Sequence, residues 1–174
     1  DNVECGRMAA RTLVARGYDN IAFLGGPQKA TSTQDRFTGF MSEMEAHPNV
    51  KTSYSFAGDY SFDAGRREMM RLVQNNPAQA YCCDDVLTIG ALSAAIDSGL
   101  KVPEDVGLLG LNDMEMARWE NISLTTIHQP IRQIVTSSIE LMVAMLNEPD
   151  RYPEARIFPC SIVERDTLRP ALAN

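Results

Sequence analysis

Helical and extended patterns alternate along the whole chain. Residues 3–16 place Met8, Leu13 and small neighbours on one helical stripe. The stripe stops at Gly17, the residue type suited to the left-handed position that ends a helix. Ile21-Ala22-Phe23-Leu24 is a short apolar run closed by Gly25-Gly26, the signature of a strand. Helix is expected over 34–46 with His47-Pro48-Asn49 as its breaker, strand over 52–57, and helix over 62–75 ended by the Asn75-Asn76-Pro77 turn. Strand 79–83, helix 86–98 closed by Gly99, and strand 106–111 follow. Segment 122–128 is expected as a strand or extended crossover, 131–147 as a helix starting behind Pro130, and 157–164 as the last strand.

Strands alternating with helices of this length build βαβ units, which predicts an α/β fold with a mainly parallel sheet covered by helices on both faces. The apolar runs Tyr81-Cys82-Cys83 and Leu108-Leu109 fit strands buried on both sides. Right-handed crossovers collect ligand-binding groups outside the carboxyl ends of such strands. Loops 25–34, 58–61, 84–86 and 112–116 are therefore where chemistry is expected.

Those loops carry candidates, each with two readings. Arg36 falls in the first turn of a helix capped by Thr31, Ser32 or Thr33, where a cation opposes the helix dipole at a cost of about 0.3–1 kcal/mol. Either the guanidinium reaches into a cleft to hold hydroxyl or carboxylate oxygens, or it is a surface group paired with Asp35. Asp84-Asp85 follow a buried strand and open a helix. Asp85 suits the N-cap better, which leaves Asp84 facing the loop as a ligand contact or a solvated carboxylate. Asn112-Asp113 suit either a polyol, because an amide donates and accepts at once, or ordinary turn chemistry. Tyr60 in Gly58-Asp59-Tyr60-Ser61 either stacks on a ligand at the cleft mouth or staples the helix entry. Met114, Met116 and Trp119 form a partner-binding patch or plug the sheet, and Leu92 and Ile96 give helix 86–98 a second apolar face. His128 reads as a core or hinge residue.

Composition narrows the classes. The chain has 174 residues, 44% of them hydrophobic, and a net charge of −7, which fits one globular domain without staples. An acidic balance argues against nucleic-acid binding by this segment. No apolar run approaches the ~20 residues of a membrane helix, and Asp1-Asn2-Val3-Glu4 is acidic where a secretory leader is basic. Cys5, Cys82, Cys83 and Cys160 lack CxxC spacing and the only histidines are His47 and His128, so no metal site is expected. The cysteines read as reduced and mostly buried, which fits the cytoplasm. Gly25-Gly26-Pro27-Gln28-Lys29-Ala30-Thr31 follows a strand but lacks phosphate-loop spacing, and no GxGxxG, GxSxG, HExxH or EF-hand motif is present. Neither catalysis nor a cofactor is expected.

Taken together, RMAARTLVARGYDNIAFLGGP (7–27), DRFTGF (35–40), CDDVLTIGALSAAIDSGLKVPEDVGLLGLND (83–113), LTTIHQP (124–130) and SIVERDTLRP (161–170), behind Asp1-Asn2, resemble the lactose/galactose-repressor family of bacterial transcription regulators. Each phrase alone is weak; their order and combination are specific. The resemblance implies a type I periplasmic-binding-protein-like core of two α/β subdomains with an effector between them, and an N-terminal helix–turn–helix that binds operator DNA. It covers the effector-binding region from the first interdomain crossover onward. The chain is therefore expected to be a fragment without the DNA-binding head and most of the N-terminal subdomain. Residues 3–128 and 155–170 are expected in the C-terminal subdomain, and 129–150 as a crossover helix packing on the absent one.

Carried over by position, Arg36 looks like the family's effector-clamping arginine. Asp84 stands where the family often has Asn before an N-capping Asp, and Asn112 where many members have Asp. Tyr60 takes the place of the stacking aromatic, and Asp1 is placed to reach the cleft from the hinge. Homodimer contacts are implied for Leu92, Ile96, Met114 and Trp119. The expected effector is a sugar, polyol or sugar acid. A periplasmic sugar-binding protein of a transporter is the alternative, and a small α/β enzyme a more distant one.

Overall fold

Among the described residues, six strands form one sheet in the order β2-β1-β3-β4-β5-β6. The first five run parallel, and β6 is antiparallel to β5, with Thr126 opposite Val163. The computed structural model describes residues 1–148 and 150–172. The elements are α1 (Asn2–Val14), β1 (Asn20–Gly25), α2 (Thr31–Met44), β2 (Lys51–Phe56), α3 (Phe62–Asn75), β3 (Ala80–Cys83), α4 (Asp85–Asp97), β4 (Gly107–Asn112), a 3-10 turn (Glu115–Arg118), β5 (Thr126–His128), α5 (Ile131–Asn147) and β6 (Ser161–Val163). The expected α/β class with a mainly parallel sheet is found.

Alternate residues of each strand feed two cores, as the period of two requires. Ile21, Phe23, Cys82, Leu109 and Ile127 face α1 and α2, where they meet Leu13, Phe40 and Met44. Ala22, Leu24, Tyr81, Cys83 and Leu108 face α3 and α4, where they meet Met69, Leu72 and Leu87. Each helix pair is drawn together by two glycines. A Cβ at Gly6 would lie 2.0 Å from the Arg36 carbonyl oxygen, and one at Gly39 1.9 Å from that of Val3. On the other face, Gly65 and Gly90 press in the same way on the Leu87 and Phe62 carbonyls. The contact between α1 and α2 thus runs through the backbone of Arg36 itself.

Several expectations are corrected. Helix α2 begins at Thr31, three residues early, behind an extended Ala30 with no side-chain cap. Neither Thr31, Ser32 nor Thr33 caps it, and Arg36 sits in its second turn, clear of the dipole's unfavourable end. Of 122–128, expected as a strand or an extended crossover, Thr126–His128 is strand, because the amides of Ile122 and Ser123 both turn back to the Trp119 carbonyl. The 157–164 strand shrinks to Ser161–Val163, the stretch that pairs with β5. The reading of all cysteines as reduced fails for two of them. Cys5 and Cys160 form a disulfide across 155 residues with Cα atoms 6.4 Å apart, inside the range a disulfide spans. Cys82 and Cys83 are free and buried.

Helix α5 is the exception to this packing, because none of its residues is buried. Ile131, Val135, Ile139, Met142, Val143 and Leu146 form an exposed apolar stripe, with the spacing that normally faces a core. No described helix is long and apolar enough to cross a membrane. Gly39→Ala is expected to push α1 off α2 and to destabilise the domain by about 1–3 kcal/mol. Urea denaturation measures this as a lowered midpoint, and an unchanged midpoint would contradict the close approach.

Candidate functional site

The chain leaves β1 for β2 on one side and returns to β3 on the other, so the strand order reverses between β1 and β3. Loops diverge at such a reversal and leave a crevice at the carboxyl ends of the strands. Arg36 on α2, Asp84 after β3 and Asn112 at the end of β4 meet there.

Arg36 is only 8% exposed. Its Nε donates to Asn2 Oδ1 at 3.1 Å and its Nη2 to Asn112 Oδ1 at 2.9 Å, and its Nη1 lies 3.6 Å from Asp84 Oδ2. Asn112 Nδ2 donates to the same Asp84 oxygen at 2.5 Å. Gln129 Nε2 adds a bond to Asn112 Oδ1 at 3.1 Å. The alternative pairing of Arg36 with Asp35 is not made. A buried guanidinium needs such acceptors, because leaving charge and donors unmet in the interior costs several kcal/mol.

The N-cap expected of Asp85 falls to Asp84, which faces the crevice as well. Asp84, not Asp85, is the N-cap of α4, accepting from the Val86 amide at 3.1 Å. Asp85 is fully buried and accepts from Thr126 Oγ1 at 2.6 Å and the Met114 amide at 2.7 Å. Burial pushes the Asp85 carboxyl above its ordinary value, the Thr126 and Met114 hydrogen bonds oppose this, and the charges of Asp84 and Asp113 add to the rise. Burial also raises Asp84, against the opposing pull of the Val86 amide, Arg36 and Asn112.

Asp85 has a structural task. Asn112 and Asp113 both have positive φ, 124° and 56°, a conformation that side-chain-bearing residues rarely adopt. The Asp85 bond to the Met114 amide and a 3.3 Å bond from the Asp113 amide to Thr126 Oγ1 hold that turn. Asp113 is fixed further by Arg165 Nη2 at 2.8 Å and lies 3.0 Å from His128 Nδ1. Asn112 is thereby turned toward Arg36 and Asp84, while Asp113 is turned toward β5.

Tyr60 lies on the rim, its hydroxyl 2.6 Å from Thr33 Oγ1 and 3.2 Å from Ser32 Oγ. Its ring covers Gly26, where a Cβ would come within 2.2 Å of it. Asp1 does not reach the crevice. It caps α1 by accepting from the Glu4 amide at 2.9 Å, and its neighbour Asn2 makes the contact. Asn2 and Gln129 are the site residues the sequence reading missed. Gln129 lay within the LTTIHQP phrase, and Asn2 one position from the residue chosen.

Beneath Arg36 and Tyr60 the enclosed space is about 10 Å³, the least that holds one water. The larger room lies alongside, a depression of about 280 Å³ lined by Asn112, Asp113, His128, Gln129, Pro130 and Arg132 among others. These groups form the floor of a site that opens outward. Among the described residues no cluster of three or more His, Cys, Asp or Glu could hold a metal ion. Away from the floor, Leu92 is nearly buried, while Ile96 is 59% and Trp119 49% exposed. Ile96, Leu92, Phe62, Ile89 and Ile122 border a hollow of about 320 Å³. The Met114 side chain is half-buried.

A mainly parallel sheet with a polar floor at its strand-order reversal fits a periplasmic-binding-protein-like lobe. Residues 10–168 match the family described as periplasmic binding protein-like domain. The HTH-type transcriptional repressor PurR of Klebsiella pneumoniae is 32% identical over 167 residues, covering 94% of this chain and 49% of that protein. A dimeric Lac repressor with a C-terminal deletion superposes with TM-score 0.89 at 26% identity, over 98% of this chain and 63% of that one. A LacI-family regulator from Enterococcus faecium with bound ribose superposes with TM-score 0.89 over 98% of this chain and 64% of that one, at 22% identity, a likeness of fold. The chain belongs to the periplasmic-binding-protein-like family and, within it, to the LacI/GalR effector-binding domains. It spans about half the length of the curated relatives it matches.

Proposed function

We propose that this chain is part of the effector-sensing and dimerising region of a bacterial transcription regulator. On this reading Arg36, Asp84 and Asn112 grip a small hydroxylated metabolite, Tyr60 covers its apolar face, and Asn2 and Gln129 brace the grip. The observation that carries it is the buried guanidinium, hydrogen-bonded to Asn2 and Asn112 and ion-paired with Asp84, side chains from three separate segments at the strand-order reversal. The names of the relatives support it: PurR is a transcriptional repressor, and the E. faecium regulator holds ribose. They favour a regulator over the periplasmic transport protein, and a ligand that is sensed rather than transformed. A regulator of this kind works in the cytoplasm and needs neither cofactor nor metal.

The mechanism follows from where the bracing residues sit. Asn2 opens α1 and Gln129 lies two residues before α5, at the two places where the family chain crosses between subdomains. The exposed stripe of α5 covers part of the second subdomain, which the chain enters behind Gln129. A ligand bound between the two halves favours the closed arrangement only by its differential affinity for the two states. Ile96, Trp119 and the edges of Leu92 and Met114 join two copies. Closure then alters the spacing of DNA-binding heads, which lie outside these residues.

Isothermal titration of the full-length protein against sugars, polyols and sugar acids is expected to find one saturable ligand. Arg36→Ala is expected to weaken it about tenfold to a hundredfold, the worth of charge-assisted hydrogen bonds. Full affinity in that variant would overturn the site. Ile96→Asp is expected to convert the dimer to monomer in sedimentation, and an unaltered dimer would remove that face from the interface.

A further inference from the structure

We infer that Asp84 sets the charge selectivity of the crevice, so that it admits an uncharged polyhydroxyl effector and excludes carboxylates and phosphate esters. This deepens the reading of the crevice as an effector site and rests on it. Two features of the floor would otherwise attract an anion, the Arg36 guanidinium and the N-terminus of the 13-residue helix α4. One carboxylate answers both. Asp84 Oδ1 accepts from the Val86 amide at 3.1 Å, and Asp84 Oδ2 lies 3.6 Å from Arg36 Nη1 and accepts from Asn112 Nδ2 at 2.5 Å. The Arg36 and Asp84 side chains are 9% and 11% exposed, so water screens the pair weakly.

The buried charges around the floor do not restore a positive field, and Arg132, which also lines the depression, is exposed to water that screens it. Asp85 is turned away onto Thr126 and Met114, and Arg165 is committed to Asp113 and the Leu124 carbonyl. The donor and acceptor inventory points the same way. Arg36 and the Asn112 and Gln129 amides can donate, while the Asp84, Asn112 and Gln129 oxygens can accept. A hydroxyl donates and accepts at once and can satisfy both kinds of group, whereas a carboxylate or phosphate dianion accepts only. An anion seated against Arg36 would meet the Asp84 charge across a few ångströms, a penalty on the order of a hundredfold in affinity at the effective dielectric of such a site.

Asp84→Asn isolates the charge. Asn caps a helix as well as Asp does, so α4 keeps its start, and the Asn112 bond keeps an acceptor. The full-length wild-type protein, D84N and the double variant Arg36→Met with D84N are titrated calorimetrically with inorganic phosphate and with D-gluconate, after thermal melts establish that each is folded. Wild type is expected to bind neither anion saturably. D84N is expected to gain binding of at least one by about tenfold or more, and the double variant to lose it again. Equal anion binding by wild type and D84N, no gain in D84N, or a gain that survives loss of Arg36 would each overturn the inference. So would a sugar acid proving to be the ligand of the wild-type protein, an outcome that leaves the sensor reading intact. That reading falls separately, if Arg36→Ala binds the wild-type ligand undiminished.

Discussion

A guanidinium taken out of water must find acceptors inside the protein, and it constrains whatever supplies them. Arg36 draws on Asn2 at the head of α1, Asp84 at the head of α4 and Asn112 at the tail of β4. Those segments lie far apart in sequence and on different layers of the fold. Their meeting at one group fixes how the α1/α2 layer, the sheet and the start of α4 sit together at the crevice. The two hydrogen bonds and the ion pair that satisfy the arginine leave its neighbours facing outward as a mixed donor and acceptor surface.

The scaffold is built to deliver that arginine accurately. Gly6 and Gly39 let α1 and α2 approach backbone to backbone, and Gly6 presses on the Arg36 carbonyl itself. Behind the floor, Asp85 is a buried carboxylate devoted to Thr126 and Met114, and it stabilises the positive-φ turn that aims Asn112. The Cys5–Cys160 disulfide lies one turn along α1 from Asn2 and ties that end of the helix to the residue before β6. Position at the floor thus depends on packing and hydrogen bonding in a second ring of residues that a ligand would not touch.

Much of this was legible in the sequence. The alternation of helix and strand gave the fold class, and the rule that ligands sit at strand carboxyl ends led to Arg36, Asp84, Asn112 and Tyr60. What was not legible depended on neighbours distant in the chain. Adjacent aspartates have the same capping chemistry, and Thr126 and Met114, 41 and 29 residues from Asp85, decide which one is drawn inward. Asp1 and Asn2 are neighbours, and the phase of α1 alone sends one to the cap and the other to Arg36. Gln129 needed the placement of β5 beside β4, and the Cys5–Cys160 pair spans most of the chain. The partnerless stripe of α5 was legible as amphipathic, but its pattern does not say which surface it covers.

The central claim is that Arg36 and Asp84 act on each other strongly enough to organise the crevice. A double-mutant cycle with Arg36→Met and Asp84→Asn, followed by urea unfolding of the full-length protein at neutral pH, measures that directly. The account predicts a coupling of about 1–3 kcal/mol, typical of a partly buried hydrogen-bonded charge network. Effects that simply add, to within about 0.5 kcal/mol, would show the two groups to be independent and would contradict it.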